Sequence, residues 1–280
     1  NAPNRNYKDS NHKPELMYAL SDFWLLHGFK KKEDLIRVLT TVPELSFLLP
    51  VFSNGNYKAL YEEVMTMPQD KVDQVLAPLL RRIVPAYKTN ELQKSNEDFW
   101  AARAAFTFCK DDHLDRGIFS IYLFNLLHLK EGEAIFQDAG LPHAYLEGQN
   151  VEVMANSDNV LRAGLTEKHV DVPELMKHVK FEATDPQIIR SNGKDKQAFT
   201  TPAKEFLLSK YEGGNSFEIA PASATILFCY QGAAEVFAGQ EKIDVNRGEA
   251  VLVLPGQAAS VTSANGKLTI FTVSTPMDKN

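Results

Sequence analysis

EGEAIFQDAGLPH, residues 131–143, places a turn glycine before a short apolar strand and closes on a second glycine turn with Leu-Pro. RGEAVLVLPG, residues 247–256, repeats the plan: Gly-Glu-Ala, two apolar residues, and a proline within ten positions. Six matching positions can arise by chance, so the repeat by itself only suggests two halves built alike. A glycine turn feeding a strand, met twice, fits two jelly rolls of one design. The copies differ where chemistry would enter. The first runs into Leu141-Pro142-His143 and the second into Leu254-Pro255-Gly256, and no histidine follows His178. If the jelly rolls carry metal, only the first can do so through imidazole, and the second is expected to be structural and metal-free.

Outward from the repeat, three textures follow one another. From Lys204 onward, strands come at close spacing between Gly213-Gly214, Gly232, Gly239, Gly248, Gly256 and Gly266, as in an antiparallel sandwich or barrel. Residues 13–29, KPELMYALSDFWLLHGF, alternate and then run apolar, which is strand material. From Lys31 to about Asp112 the period turns helical. Leu35, Ile36, Leu39 and Val42 form one stripe, and Val72, Val75, Leu76, Leu79, Leu80 and Ile83 another. Ser95 and Asp98 have the spacing of a capping box, and Pro43, Pro50, Pro68 and Pro85 punctuate the segment. After Gly117 strands and turns are expected again, with one short helix over Asp171–His178. The expected fold class is mainly β with a helical insertion: cupin-type jelly rolls plus an α-helical module. Residues 1–30 and 113–180 would form the catalytic jelly roll, 31–112 the insertion, and 181–280 a linker and the C-terminal jelly roll.

Composition narrows the partners. The 280 residues are 44% hydrophobic and 24% charged, the ordinary range of a globular chain. Net charge is −6 with no basic cluster, which argues against nucleic acid or an anionic membrane. The richest apolar run, Ile118–Leu129, is broken by Ser120, Asn125 and His128 and is too short to span a bilayer. Asn1–Ser10 lacks a secretory apolar region, and the chain does not start with Met. Two distant cysteines, Cys109 and Cys229, read as reduced thiols of a cytoplasmic protein.

Glu15 and His143 are ligand types that suit zinc. In isolation they read more readily as a surface acid and a turn histidine, because no H-x-H, H-E-x-x-H or C-x-x-C spacing is present. Residue patterns alone lead to a cupin-like protein without a function.

PHAYLEGQNVEVMANSDNVLRAGLTEKHVD (142–171) resembles the signature stretch of the type I phosphomannose isomerases, and NYKDSNHKPEL (6–16) resembles their Lys-Pro-Glu segment. The order of strand, helical insertion, strand and terminal jelly roll matches as well, so the resemblance extends over essentially the whole chain. It implies a zinc-dependent aldose-ketose isomerase that interconverts mannose 6-phosphate and fructose 6-phosphate, in cytoplasmic carbohydrate metabolism leading toward GDP-mannose. It places Glu15 and His143 on two of the family's four zinc ligands. The other two, from a Gln-x-His motif, are expected in an N-terminal segment of the same protein, since none of the seven histidines here has Gln two positions before it.

The reaction moves a proton between C1 and C2 through an enediol, which calls for acid/base groups, a cation at the developing charge and a clamp for the phosphate. By resemblance Arg162 is the active-site arginine and Lys168 lies in the same mouth, although Glu167 stands where the family commonly has Pro. Lys13, His12, Glu152 and Asp158 are the candidates for proton transfer or ring opening, and Tyr145 is expected to line the sugar pocket. Glu152 alternates with Val151 and Val153 and so faces away from them, while Asp158 with Asn159 reads equally well as a turn former. Two other classes remain open. One is a sugar-phosphate-binding or regulatory cupin without catalysis; the other is a metal-dependent cupin oxygenase, which would want about three ligands gathered in one jelly roll.

Overall fold

The computed structural model describes residues 8–109, 113–213, 216–264 and 266–276. The start of the 6–16 segment, the expected end of the helical insertion at 110–112, and Gly214 lie outside them. The chain opens with β1 (Glu15–Ala19) and β2 (Phe23–Phe29). Helices α1 (Lys32–Thr41), α2 (Leu49–Phe52), α3 (Tyr57–Thr66), α4 (Gln69–Lys88), α5 (Glu97–Phe108) and α6 (Gly117–Leu123) follow, with a 3-10 turn at Pro43–Leu48. Strands return with β3 (Phe124–Leu129), β4 (Ala134–Gln137), β5 (His143–Glu147) and β6 (Asn150–Met154). After α7 (Val172–His178) come β7 (Ile188–Ile189), β8 (Lys196–Phe199), β9 (Leu207–Glu212), β10 (Ser216–Ile219) and β11 (Thr225–Gln231). The chain ends on β12 (Ala233–Ala238), β13 (Glu241–Asn246), β14 (Ala250–Val253), β15 (Ala259–Ser263) and β16 (Thr269–Ser274).

These strands make two double-sheet units. In the first, the order β6-β1-β4-β7 faces the order β3-β2-β5; in the second, β14-β11-β16-β9-β8 faces β10-β15-β12-β13. Met17, Ala19 and Ile135 of the first sheet meet Phe23, Leu25 and Leu129 of the second, and this small core closes the first unit. Leu227, Cys229 and Ile270 meet Val236 and Val261 to close the other. The first unit has no bare face. Trp24, Leu26, Leu126 and Ala144 on the outside of its three-stranded sheet pack into the core of the helices. Leu16, Tyr18 and Val153 on the outside of its four-stranded sheet pack against Phe199, Leu208 and Phe271 of the second unit. Because both faces of β1 and β2 are covered, their sequence shows apolar runs rather than clean alternation.

Three local readings differ from the sequence expectation. Gly117–Leu123 is a helix rather than a strand. All seven of its residues are buried, so no polar side marks the helical period, and a short buried apolar run is ambiguous from sequence. Asn96, not Ser95, caps α5: its side chain accepts from Asp98 N at 2.8 Å, while the Asp98 carboxylate takes Tyr122 and Arg82 instead. Pro85 does not end a helix but sits inside α4, as does Pro78.

Candidate active site

Strand alternation assembles the site. Glu15 pairs with Gln137 and Met154, and Met17 with Glu152 and Ile135, so Glu15, Gln137 and Glu152 share the inner face of one sheet. On the opposing sheet His27 pairs with His143, and Leu25 with Tyr145, which puts these side chains on the inner face too. Residues directly opposed in an antiparallel pair project to the same side. A cavity of about 580 Å³ opens at this end of the sheets and extends toward the helices, and Lys13, Glu15, His143, Tyr145, Glu152 and Arg162 all border it. That is the size of a small-molecule site.

Glu15 and His143 face each other at its base. His143 Nδ1 lies 2.9 Å from the Leu141 carbonyl, an acceptor only, so this nitrogen carries the hydrogen. Nε2 then points at Glu15 Oε2, 3.2 Å away, and two lone pairs confront each other unless a proton or a cation lies between. Burial would raise the Glu15 carboxyl, but the hydrogen bond and charge of His143, with Lys13 at 3.6 Å, hold it below the ordinary carboxylate range. Burial would lower His143, and Glu15 reverses this and raises it. The pair therefore favours positive charge between its members. Zinc fits this donor set: two ligands at about 2.0–2.1 Å from a tetrahedral ion stand about 3.3 Å apart, and an Nδ1–H bonded to a backbone carbonyl is the usual outer contact of a metal-binding imidazole. Among the described residues no third His, Cys, Asp or Glu joins the pair.

Above this pair, Tyr145 Oη lies 2.5 Å from Glu152 Oε1 and 3.0 Å from Gln137 Oε1. Burial and the Glu152 carboxylate both push the tyrosine hydroxyl well above its ordinary value, so it stays a proton donor. Burial also raises Glu152; the Tyr145 hydrogen bond opposes this, and the Glu15 charge adds to the rise. His27, 3% exposed, is pushed down to about 4 by burial and donates from Nε2 to the Phe136 carbonyl.

Arg162 reaches the cavity from a loop held at both ends. At one end buried Asn159 grips the incoming chain: its Oδ1 accepts from Lys8 N and Asp9 N, and its Nδ2 donates to the Asn11 carbonyl. At the other, Asp115 Oδ1 accepts from Leu165 N and from Gly117 N at the start of α6. The guanidinium forms no hydrogen bond or ion pair with a described residue, so its donors remain available.

Three expected residues stand apart. His12 turns away and pairs with Glu205 at 2.5 Å. Asp158 is exposed, and its backbone N–H donates to Asp9 Oδ2. Lys168 is exposed beyond the cavity wall, in a turn where its N–H meets Thr166 Oγ1. Gln137, Asp115 and Gly117 carry no recognisable signal in the sequence, although a Gln closing the strand of an AIFQ run is a polar residue aimed at a core.

A jelly roll with a carboxylate-imidazole pair in a cavity of small-molecule size, bordered by Lys13 and Arg162, has the form of a cupin-type small-molecule site. Similarity to known proteins narrows the class. A profile of "Phosphomannose isomerase type I, catalytic domain" matches residues 1–32. Mannose-6-phosphate isomerase of Escherichia coli is 33% identical over 275 residues, covering 95% of this chain and 68% of that protein. The Bos taurus mannose-6-phosphate isomerase is 30% identical, covering 92% and 66%. Among solved structures, the apo form of mannose 6-phosphate isomerase from Salmonella typhimurium superposes with a TM-score of 0.80 at 32% identity, over 99% of this chain and 70% of that one. A mannose 6-phosphate isomerase bound with zinc and yttrium gives the same TM-score and identity. The chain belongs to the type I phosphomannose isomerases.

Proposed function

We propose that this protein is an aldose-ketose isomerase that interconverts mannose 6-phosphate and fructose 6-phosphate with one zinc ion. The observation that carries the reading is the Glu15–His143 pair lying beside the proton-holding Glu152–Tyr145 pair on the border of one cavity, in a chain of this family. Glu15 and His143 would hold the zinc. Two further ligands are assigned to a Gln-x-His segment N-terminal to Asn1 in the full-length protein, which would complete four-coordination. When bound, zinc supplies positive charge against the negative charge that develops on the enediol oxygens.

The protein's own groups do the rest. Glu152, raised by burial, is suited to take and return the proton that moves between C1 and C2. Lys13, beside Glu15, supplies a second positive charge and a mobile donor at the same end. Arg162 presents a planar, unpaired fork to the sugar or its phosphate. Tyr145 keeps its proton and walls the pocket. His12, Asp158 and Lys168 do not border the cavity and are left out of the reacting set. The helices of residues 31–112 act as a buttress for the catalytic sheet, and the jelly roll of 204–280 as a metal-free backing. Two unpaired thiols are consistent with a cytoplasmic setting.

The test is metal analysis beside turnover on the full-length protein. About one zinc per chain and isomerisation of mannose 6-phosphate are expected, with both lost in His143→Ala. Undiminished zinc in that variant removes His143 from the site. Zinc binding without turnover in wild type favours a sugar-phosphate-binding protein instead.

A further inference from the structure

Gln137 is fully buried in the wall of the barrel, one strand over from Glu15, and its Nε2 has no partner in the structure. A buried amide N–H without an acceptor costs about 1–3 kcal/mol, so such an atom asks for an explanation. Its neighbour supplies one. Tyr145 Oη stands 3.0 Å from the Gln137 Oε1 position and 2.5 Å from Glu152 Oε1, yet a phenol has a single proton. The short contact to the carboxylate takes that proton. The phenolic oxygen is then an acceptor facing the amide. Rotating the amide by half a turn presents N–H to it and removes the orphan donor, and the hydrogen-bond network is what decides between amide orientations.

We propose that Gln137 is a positioning residue for Glu152, acting through the Tyr145 hydroxyl. The hydrogen bonds then run one way: Gln137 N–H to Tyr145 oxygen, Tyr145 O–H to the Glu152 carboxylate. Among the described residues Tyr145 is the sole hydrogen-bond partner of the Glu152 side chain, so the relay alone aims that carboxylate. It also spans the barrel mouth. Gln137 and Glu152 sit on one sheet and Tyr145 on the other. Gln137 itself does not border the cavity.

The inference rests on the isomerase reading of this site, and the experiment separates the two. Turnover with mannose 6-phosphate, KM and zinc content are measured on full-length, zinc-loaded wild type, Gln137→Leu, Gln137→Met, Tyr145→Phe and each Gln137 variant combined with Tyr145→Phe. Each Gln137 variant should lose about tenfold in kcat with zinc intact, the scale seen for outer partners of a functional group, while KM stays within about twofold because the ground-state contacts are untouched. In the Tyr145→Phe background the same substitutions should cost nothing further, since the link they act through is gone. Unchanged kcat in both variants would overturn the relay, and so would a loss that simply multiplies in the Tyr145→Phe background. Loss of zinc or of the folded state in both would make Gln137 structural and overturn it as well. An inactive wild type would overturn the isomerase reading, and the relay's role with it.

Discussion

At the scale of single residues, Arg162 offers the sharpest test of the proposed chemistry. Its guanidinium borders the cavity unpaired, whereas Lys13 shares its charge with Glu15 at 3.6 Å. A planar fork gives an oxyanion or phosphate two aligned donors, and a lysine keeps the charge but loses the alignment. Arg162→Lys is therefore expected to lower turnover sharply. A loss of ~2.7–4 kcal/mol of transition-state stabilisation, by analogy with a lost oxyanion donor, is about a hundredfold to a thousandfold in rate. Zinc content should not change, because Glu15 and His143 are untouched. Near-normal turnover would make Arg162 a bystander and move the role to Lys13.

At the scale of the element, the loop carrying Arg162 is shaped by a glycine contact. Gly164 has φ +123°, and a Cβ there would stand 2.7 Å from both the Cα and the N of Gly117, backbone that cannot swing aside. The two chain segments approach this closely because Asp115 Oδ1 binds the N–H groups of Gly117 and Leu165 together. Gly164→Ala should cost at least about 1–3 kcal/mol from the backbone conformation alone, and the steric contact adds to it. The loop must then move, so turnover should fall along with the melting temperature while zinc stays bound. Wild-type stability and turnover in Gly164→Ala would show that the loop does not depend on this contact. No sequence pattern announces it: two glycines so far apart along the chain reveal nothing until α6 brings them together.

For the whole molecule, the first double-sheet unit lies between two supports. Tyr18 of β1 meets Phe199 and Phe271 of the second unit edge-on, at 5.2 and 5.1 Å between ring centroids. Each neighbour of Glu15 on β1 is thus anchored: Met17 inside its own barrel, Leu16 and Tyr18 against the other unit. Phe271→Ala should cost about 3–5 kcal/mol, as for other buried aromatic truncations. It should also lower the melting temperature of the catalytic unit and not only its own, seen as one shared unfolding transition. Separate transitions, with the catalytic unit unshifted, would show that the second jelly roll folds beside the first without bracing it.

The amino-acid sequence by itself determined the class of fold and offered the residues of the candidate site. The doubled Gly-Glu-Ala turn, the change from strand to helical period, the histidine confined to the first copy and the long stretch at 142–171 are local patterns, and local patterns survive in one dimension. Alternation even placed Glu152 opposite Val151 and Val153. Tertiary structure alone decided which residues meet. Glu15 and His143 are 128 positions apart and become neighbours at 3.2 Å through the closing of two sheets. His12 pairs with Glu205 instead, and Asp158 and Lys168 stand outside the cavity, distinctions that one contiguous motif cannot express. Gln137 and Asp115 act through distant partners as well. Strand pairing and burial create such contacts, and their partners are set by register and packing across the fold, not by neighbours along the chain.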